Sequence, residues 1–187
     1  MCSCPDSGPA LPATRYPQNG RHFHQPGAHA MSTNEKAQAT VRAATAADFE
    51  AWLPLWRGYQ AFYKMSVSEA QTLQTWQRFL DPASPLHLAL AEADAGAGAA
   101  VLGMVHYIDH HSTTAPVGYV YLQDLYTAQE ARGRGLGRAL IEHVYAHARE
   151  TGATRVHWLT HHSNEQAMVL YDQVAEKSGF VQYRKVF

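Results

Sequence analysis

Thiols are nearly absent from this chain: of its 187 residues only Cys2 and Cys4 are cysteine, and both lie at the extreme N-terminus. A disulfide framework or a cysteine nucleophile inside a folded domain is therefore excluded. Two thiols in an unanchored tail are weak grounds for a metal site, and no metal is expected. Long apolar runs are missing as well; none approaches the ~20 residues that cross a bilayer. Excess charge of one sign is also lacking, with 16 acidic against 15 basic residues and no basic run. Neither nucleic acid nor a membrane surface is an expected partner. The first ten residues carry Pro5, Asp6, Gly8 and Pro9 where a secretory signal needs a basic start and an apolar core. A cytoplasmic location is the resulting expectation.

Residues 1–38 differ from the rest. Pro5, Pro9, Pro12, Pro17 and Pro26 break helices, Gly8, Gly20 and Gly27 loosen the backbone, and the sparse apolar residues show no period. Such a segment cannot offset its ordering entropy by burial, so it is expected to be disordered. His22, His24 and His29 lie in it with nothing to hold their rings. Met31 opens the ordinary start Met-Ser-Thr-Asn-Glu-Lys, and translation is expected to begin there, which N-terminal mass spectrometry would test.

Residues 39–187 read as one domain. A short strand is predicted at Ala39–Ala43. A helix capped by Thr45 or Asp48 follows to about Lys64, with Trp52, Leu55, Trp56, Tyr59, Phe62 and Tyr63 at helical spacing and Pro54 predicting a kink or late start. A second helix spans Ser68–Leu80. Strands are predicted at Leu86–Ala93, Val101–His110 and Tyr119–Thr127, with a turn at Asp94–Gly98 and a loop at Ser112–Gly118. Leu136, Leu140, Val144 and Ala148 mark a helix from Gly135 to Thr151, which Gly152 ends. A strand (Arg155–Thr160), a helix (Asn164–Ser178) and a final strand (Phe180–Val186) complete a mixed α/β sheet fold.

Arg132-Gly-Arg-Gly-Leu-Gly137 sits between the Tyr119–Thr127 strand and the next helix. A glycine turn at a helix N-terminus presents backbone N–H groups and the positive end of the helix dipole, and it lets a diphosphate approach without Cβ clashes. Arg132, Arg134 and Arg138 add charged donors. A dinucleotide loop counted from Gly133 and Gly135 needs a third glycine where Arg138 stands, and the Gly-Lys-Ser/Thr of a triphosphate loop is absent.

The Arg-x-x-Gly-x-Gly spacing resembles the pyrophosphate loop of the GNAT N-acetyltransferase superfamily. Tyr121-Leu-Gln-Asp-Leu-Tyr-Thr127 resembles the strand on which those enzymes splay the pantetheine arm. Asn164, Ala167, Leu170 and Tyr171, followed by Gly179-Phe180, resemble a second superfamily signature. Asp124-Leu-Tyr126 together with Leu170-Tyr171 looks closest to the histone and polyamine acetyltransferase-like branch.

The resemblance implies a GNAT-type, largely antiparallel sheet flanked by about four helices, with acetyl-CoA as co-substrate. It implies cofactor contacts from Leu125, Tyr126, Thr127, Arg132, Gly133, Arg134, Gly135, Leu136, Gly137, Arg138 and Asn164. It implies attack by a neutral amine whose proton some group must take. Asp124 leads as that base, with a buried structural acceptor as its other reading; many relatives carry a glutamate one place earlier, where Gln123, which cannot act as a base, stands here. Alternation points Gln123 and Asp124 to opposite faces, and His106 or His161 acting through water is the alternative. An N–H freed by a splay or bulge at Leu125 would stabilise the oxyanion, and Tyr171 would protonate the departing thiolate. Asn164 would bond the pantetheine or cap its helix. Trp56, Tyr59 and Tyr63 are candidates for the acceptor pocket, with Glu50, Glu69 and Asp109 as possible attractors of a polyamine. A small amine is the first acceptor expected, a protein lysine or N-terminus the second; a non-catalytic acyl-CoA sensor is the alternative of another class. A homodimer is expected by resemblance.

Overall fold

The computed structural model describes residues 39–94 and 99–187. The tail to residue 38, with its cysteines and histidines, and turn residues 95–98 lie outside the described residues.

In chain order the elements are β1 (Thr40–Ala43), α1 (Phe49–Phe62), α2 (Glu69–Leu80), β2 (Leu86–Asp94), β3 (Ala99–His110), β4 (Tyr119–Thr127), α3 (Leu136–Thr151), β5 (Val156–His157) and α4 (Glu165–Val174). The five strands lie in the order β1-β2-β3-β4-β5, antiparallel except for the parallel β4–β5 pair. The helices divide over the two faces. On one, Trp52, Leu55 and Trp56 of α1 and Trp76 of α2 close over Leu88, Leu90 and Met104. On the other, Leu136, Leu140, Ile141, Val144 and Ala148 of α3 cover Ala89, Ala91, Val105, Tyr107, Val120 and Leu122, with Leu170, Tyr171 and Val174 of α4 at the margin. Each fully buried Leu or Val contributes about 1.5–3 kcal/mol, so the α3 stripe is a main anchor of the sheet. No helix of the described residues is long and apolar enough to cross a membrane.

Several boundaries depart from expectation. Thr45 opens a short 3-10 turn, and Asp48 occupies the N-cap of α1 without capping it. Its carboxylate accepts instead from Arg42 at 2.7 and 2.8 Å and from the Thr45 N–H at 2.7 Å. The helix runs through Pro54 from Phe49, so the late start is not seen. Ser68, the first residue of the expected second helix, is the N-cap of α2, accepting from the Gln71 N–H. Gly152, at φ 77°, ends α3 in the left-handed conformation that glycine adopts without strain.

The C-terminal third departs most. β5 pairs at two residues only, α4 stops at Val174, and no strand forms over Phe180–Val186. The physical reason is a missing edge: a two-residue β5 offers too short a ladder for another strand. Phe180, Tyr183 and Phe187 consequently stand at least 90% exposed.

Candidate active site

β4 carries one residue more than its partner. His106 pairs with Asp124 and Tyr107 with Leu122, so Gln123 is a bulge in β4. The bulge reverses the strand's alternation. Val120 and Leu122 face α3, and simple counting would send Asp124 with them. Instead Asp124 meets His106 on the α1 face, Leu125 packs toward α3, and Tyr126 returns to the α1 core. Backbone directions switch too: Val120 donates its N–H outward to Arg155 O at 2.8 Å, whereas Ala128 donates inward to Leu102 O of β3 at 2.8 Å. Past the bulge, the odd-numbered N–H groups of Leu125 and Thr127 therefore lie on the outer edge, which β5 pairs only at Val120 and Tyr121. The irregularity sits at Gln123 rather than at Leu125, yet it delivers the outward N–H at Leu125.

Asp124 is 8% exposed and His106 3%. The Trp52 indole N–H, which can only donate, points to His106 Nε2 at 2.9 Å. Nε2 must then accept, and the ring proton lies on Nδ1, donated to Asp124 Oδ2 at 2.9 Å. This order leaves His106 no vacant nitrogen; it positions the carboxylate. Three phenols feel the Asp124 charge. Burial first, and the Asp124 charge and hydrogen bond next, push the Tyr59 phenol far up; burial and the same charge raise Tyr121. Burial raises Tyr63 as well, with Asp124 adding and hydrogen bonds to Asn164 and Thr160 opposing. Tyr121 was not anticipated: its face could be assigned only with the bulge in view.

Beside this group opens a cleft of about 480 Å³ between the end of β4, the start of α3 and α4. Gly133 and Gly135 have φ of 74° and 86°, and a Cβ on either would meet nothing within 4 Å. These glycines are set by backbone conformation and face open space. The first backbone bond of α3 runs from Ala139 N to Gly135 O, so the N–H groups of Leu136, Gly137 and Arg138 have no intrahelical acceptor. They lie at the dipole's positive end, as an anion requires.

Leu125, Tyr126, Thr127, Arg132, Gly133, Gly135, Leu136, Gly137, Arg138 and Asn164 all line the cleft; Arg134 is not among the lining residues. Arg138 donates to Gln173 of α4, and the Arg132 guanidinium stands 6.0 Å from the Phe62 ring. Asn164 does not cap α4; its amide donates to Thr160 Oγ1 at 3.2 Å. Tyr171 lines the cleft opposite the glycine turn, against Trp158 at 5.4 Å. Burial, then Tyr63, push its phenol up to about 12. Gln166, Ala167 and Gln173 of α4 are lining residues that periodicity alone did not single out.

The acceptor candidates separate. Tyr63 lines the cleft and the Tyr59 phenol is raised in part by Asp124, but Trp56 is 6% exposed, stacked between Trp52 and Tyr59. Its ring faces are covered, so it belongs to the core and cannot receive a cation. His161 is exposed and bonded to Ser163. Asp109 is engaged by two histidines elsewhere.

A left-handed glycine turn feeding a helix, a bulged neighbouring strand and a cleft-lining tyrosine meet here, an arrangement able to seat an anion at the head of α3. The chain matches the Acetyltransferase (GNAT) family over residues 49–175 and belongs to it. It is 41% identical over 145 residues to D-amino-acid N-acetyltransferase HPA3 of Saccharomyces cerevisiae, covering 78% of this chain and 89% of that protein. A solved structure described as a probable acetyltransferase is 26% identical with a TM-score of 0.68, covering 79% of this chain and 97% of that one. The fold is shared with AAC(6')-Iy, solved in complex with the bisubstrate analogue CoA-S-monomethyl-acetylneamine, at a TM-score of 0.68 and 17% identity over 81% and 99% of the two chains. The protein is thus an N-acetyltransferase of a family whose acetyl donor is acetyl-CoA.

Proposed function

We propose that the chain moves the acetyl group of acetyl-CoA to the primary amine of a small molecule, with the diphosphate on the α3 turn and the amine beside Asp124. One observation carries this reading. Tyr171 lines the same cleft as the acceptor-free N–H groups at the head of α3, and so does Tyr63, whose buried phenol is raised further by the Asp124 charge. A proton donor and an anion site therefore share one cleft, within electrostatic reach of the Asp124 carboxylate. The bound thioester supplies the acetyl group. Asp124, held by His106, takes the amine's proton directly or through water. The outward N–H of Leu125 stabilises the acetyl oxygen as charge develops. Tyr171 gives its Oη proton to the departing thiolate, an ordinary thiol having a reference value of ~8.5.

Three phenols around one carboxylate suit a compact amine with its own polar groups. Since the yeast relative is named for D-amino acids, D-amino acids are the first acceptors to try and polyamines the second. Release of CoA thiol in a panel of D-amino acids, L-amino acids, polyamines and lysine peptides tests this. Fastest release with a small amine is expected; preference for peptides would overturn the acceptor class, and binding without amine-dependent release would favour a sensor.

A homodimer goes with this reading, the second copy covering the exposed segment Phe180–Phe187. Residence in the cytoplasm goes with it too, testable by fractionation.

A further inference from the structure

We propose that His87, Asp109 and His147 form a binding site for a divalent transition-metal ion of the zinc type, remote from the catalytic cleft. The three residues come from β2, β3 and α3, and their ligand atoms lie within 4.8 Å of one another. His87 Nε2 stands 3.0 Å from Asp109 Oδ2, and His147 Nε2 stands 3.0 and 3.1 Å from the two carboxylate oxygens. Spacings of 22 and 38 residues from Asp109 hide the cluster in the sequence.

Two features favour an ion over a plain hydrogen-bond clamp. Both rings turn the same nitrogen to one carboxylate, and Tyr107, 4% exposed, holds both: it stacks on His87 at 4.9 Å and 23° and meets His147 edge-on at 4.9 Å. The donors are thus oriented before any ligand arrives. The nitrogen-to-oxygen separations near 3 Å also lie close to the edge of a tetrahedron whose bonds are about 2.0–2.1 Å long, and all three donors fall within 4.8 Å. An ion entering here replaces the two protons shared with Asp109, and each ring then carries its proton on Nδ1. Two imidazoles and a carboxylate suit zinc, cobalt, nickel or copper better than calcium or magnesium. Side-chain exposures of 31%, 38% and 18% for His87, Asp109 and His147 give an ion access and leave a fourth position to water.

His147 lies eleven residues beyond Leu136 on α3, about 16 Å along the axis from the glycine turn. The ion therefore pins the last turns of α3 to β2 and β3 and takes no part in chemistry. The test uses chelator-treated full-length protein titrated with Zn²⁺, and with Co²⁺ as a coloured probe. The N-terminal cysteines and histidines can bind ions too, so wild type is compared with His147→Ala, Asp109→Asn and His87→Gln. We expect one more bound equivalent in wild type than in each variant, a four-coordinate Co²⁺ spectrum absent from the variants, and a Zn²⁺-dependent rise in unfolding midpoint confined to wild type. Should His147→Ala fail to fold, the surface change His87→Gln carries the comparison. Equal uptake and equal midpoint shifts in wild type and variants would overturn the site. Loss of acetyl transfer on chelation would overturn its remoteness.

Discussion

Asp124 faces α1 because β4 has one residue too many. The indole of Trp52 sets the tautomer of His106, which in turn orients the carboxylate. Asp124→Asn is expected to lower kcat by about 10²-fold, the lower end for a lost acid–base group, with little change in the KM for acetyl-CoA. An unchanged kcat would remove it as the base. Tyr171→Phe should likewise cut kcat and keep cofactor affinity. The wild-type pH profile provides a second check. With the Tyr171 phenol pushed up to about 12, the proton stays in place until pH rises toward that value. Deprotonation of Tyr171 should therefore cause no fall in kcat below about pH 10. An alkaline fall near pH 8 that disappears in Tyr171→Phe would contradict the account.

At the scale of elements, the sequence was legible wherever period and burial agree. Trp52, Leu55 and Trp56 of the α1 stripe and the aliphatic stripe of α3 are core, as their spacing implies, whereas Phe62 and Tyr63 at the end of α1 stay exposed. The glycine turn was legible from its place between strand and helix. Alternation alone does not say which face Asp124 takes, because a bulge changes the facing residue without leaving an obvious mark in the residue types. Trp56 was misplaced for a related reason: helical spacing gives a face, and only packing shows whether that face is open. The Phe180–Val186 strand failed because alternation cannot supply a partner edge. Gly58 is another feature visible only in three dimensions. A Cβ there would stand 2.5 Å from Tyr126 Oη, so the helix gain of ~1 kcal/mol expected from alanine is outweighed by steric conflict. Gly58→Ala should displace Tyr126, a cleft residue, and raise the KM for acetyl-CoA several-fold; an unchanged KM would show that the ring relaxes elsewhere.

For the molecule as a whole, Arg42 ties β1 to the entry of α1 and to β2 through Asp48 and Glu92. Its hydrogen bond, reinforced by Thr45 against the opposing cost of burial, holds the Asp48 carboxyl well below the usual range. A depressed folded value means stabilisation that is present above the unfolded value near 3.9 and is lost as pH falls below it. Arg42→Ala should cost about 1–2 kcal/mol at pH 7, toward the low end because the guanidinium reaches solvent. The gap between variant and wild type in urea unfolding should narrow at pH 3; an equal gap at both values would contradict this origin. Exposed Phe180, Val181, Tyr183, Val186 and Phe187 bear on assembly. Light scattering should give a dimer for the full chain and a monomer for a chain ending at Gly179, whereas a monomer in both cases would refute the proposed partner.

The most direct test is a calorimetric titration of acetyl-CoA into wild type and Gly135→Ala. Beyond its chain neighbours, no atom of the described residues lies within 4 Å of the added Cβ; apart from the strain of a positive φ, roughly 1–2 kcal/mol, only a ligand on the turn would feel the methyl. Saturable 1:1 binding to wild type and at least a tenfold weaker affinity in the folded variant are predicted. Equal affinity in both, or no binding to wild type, would contradict a diphosphate seated at the head of α3.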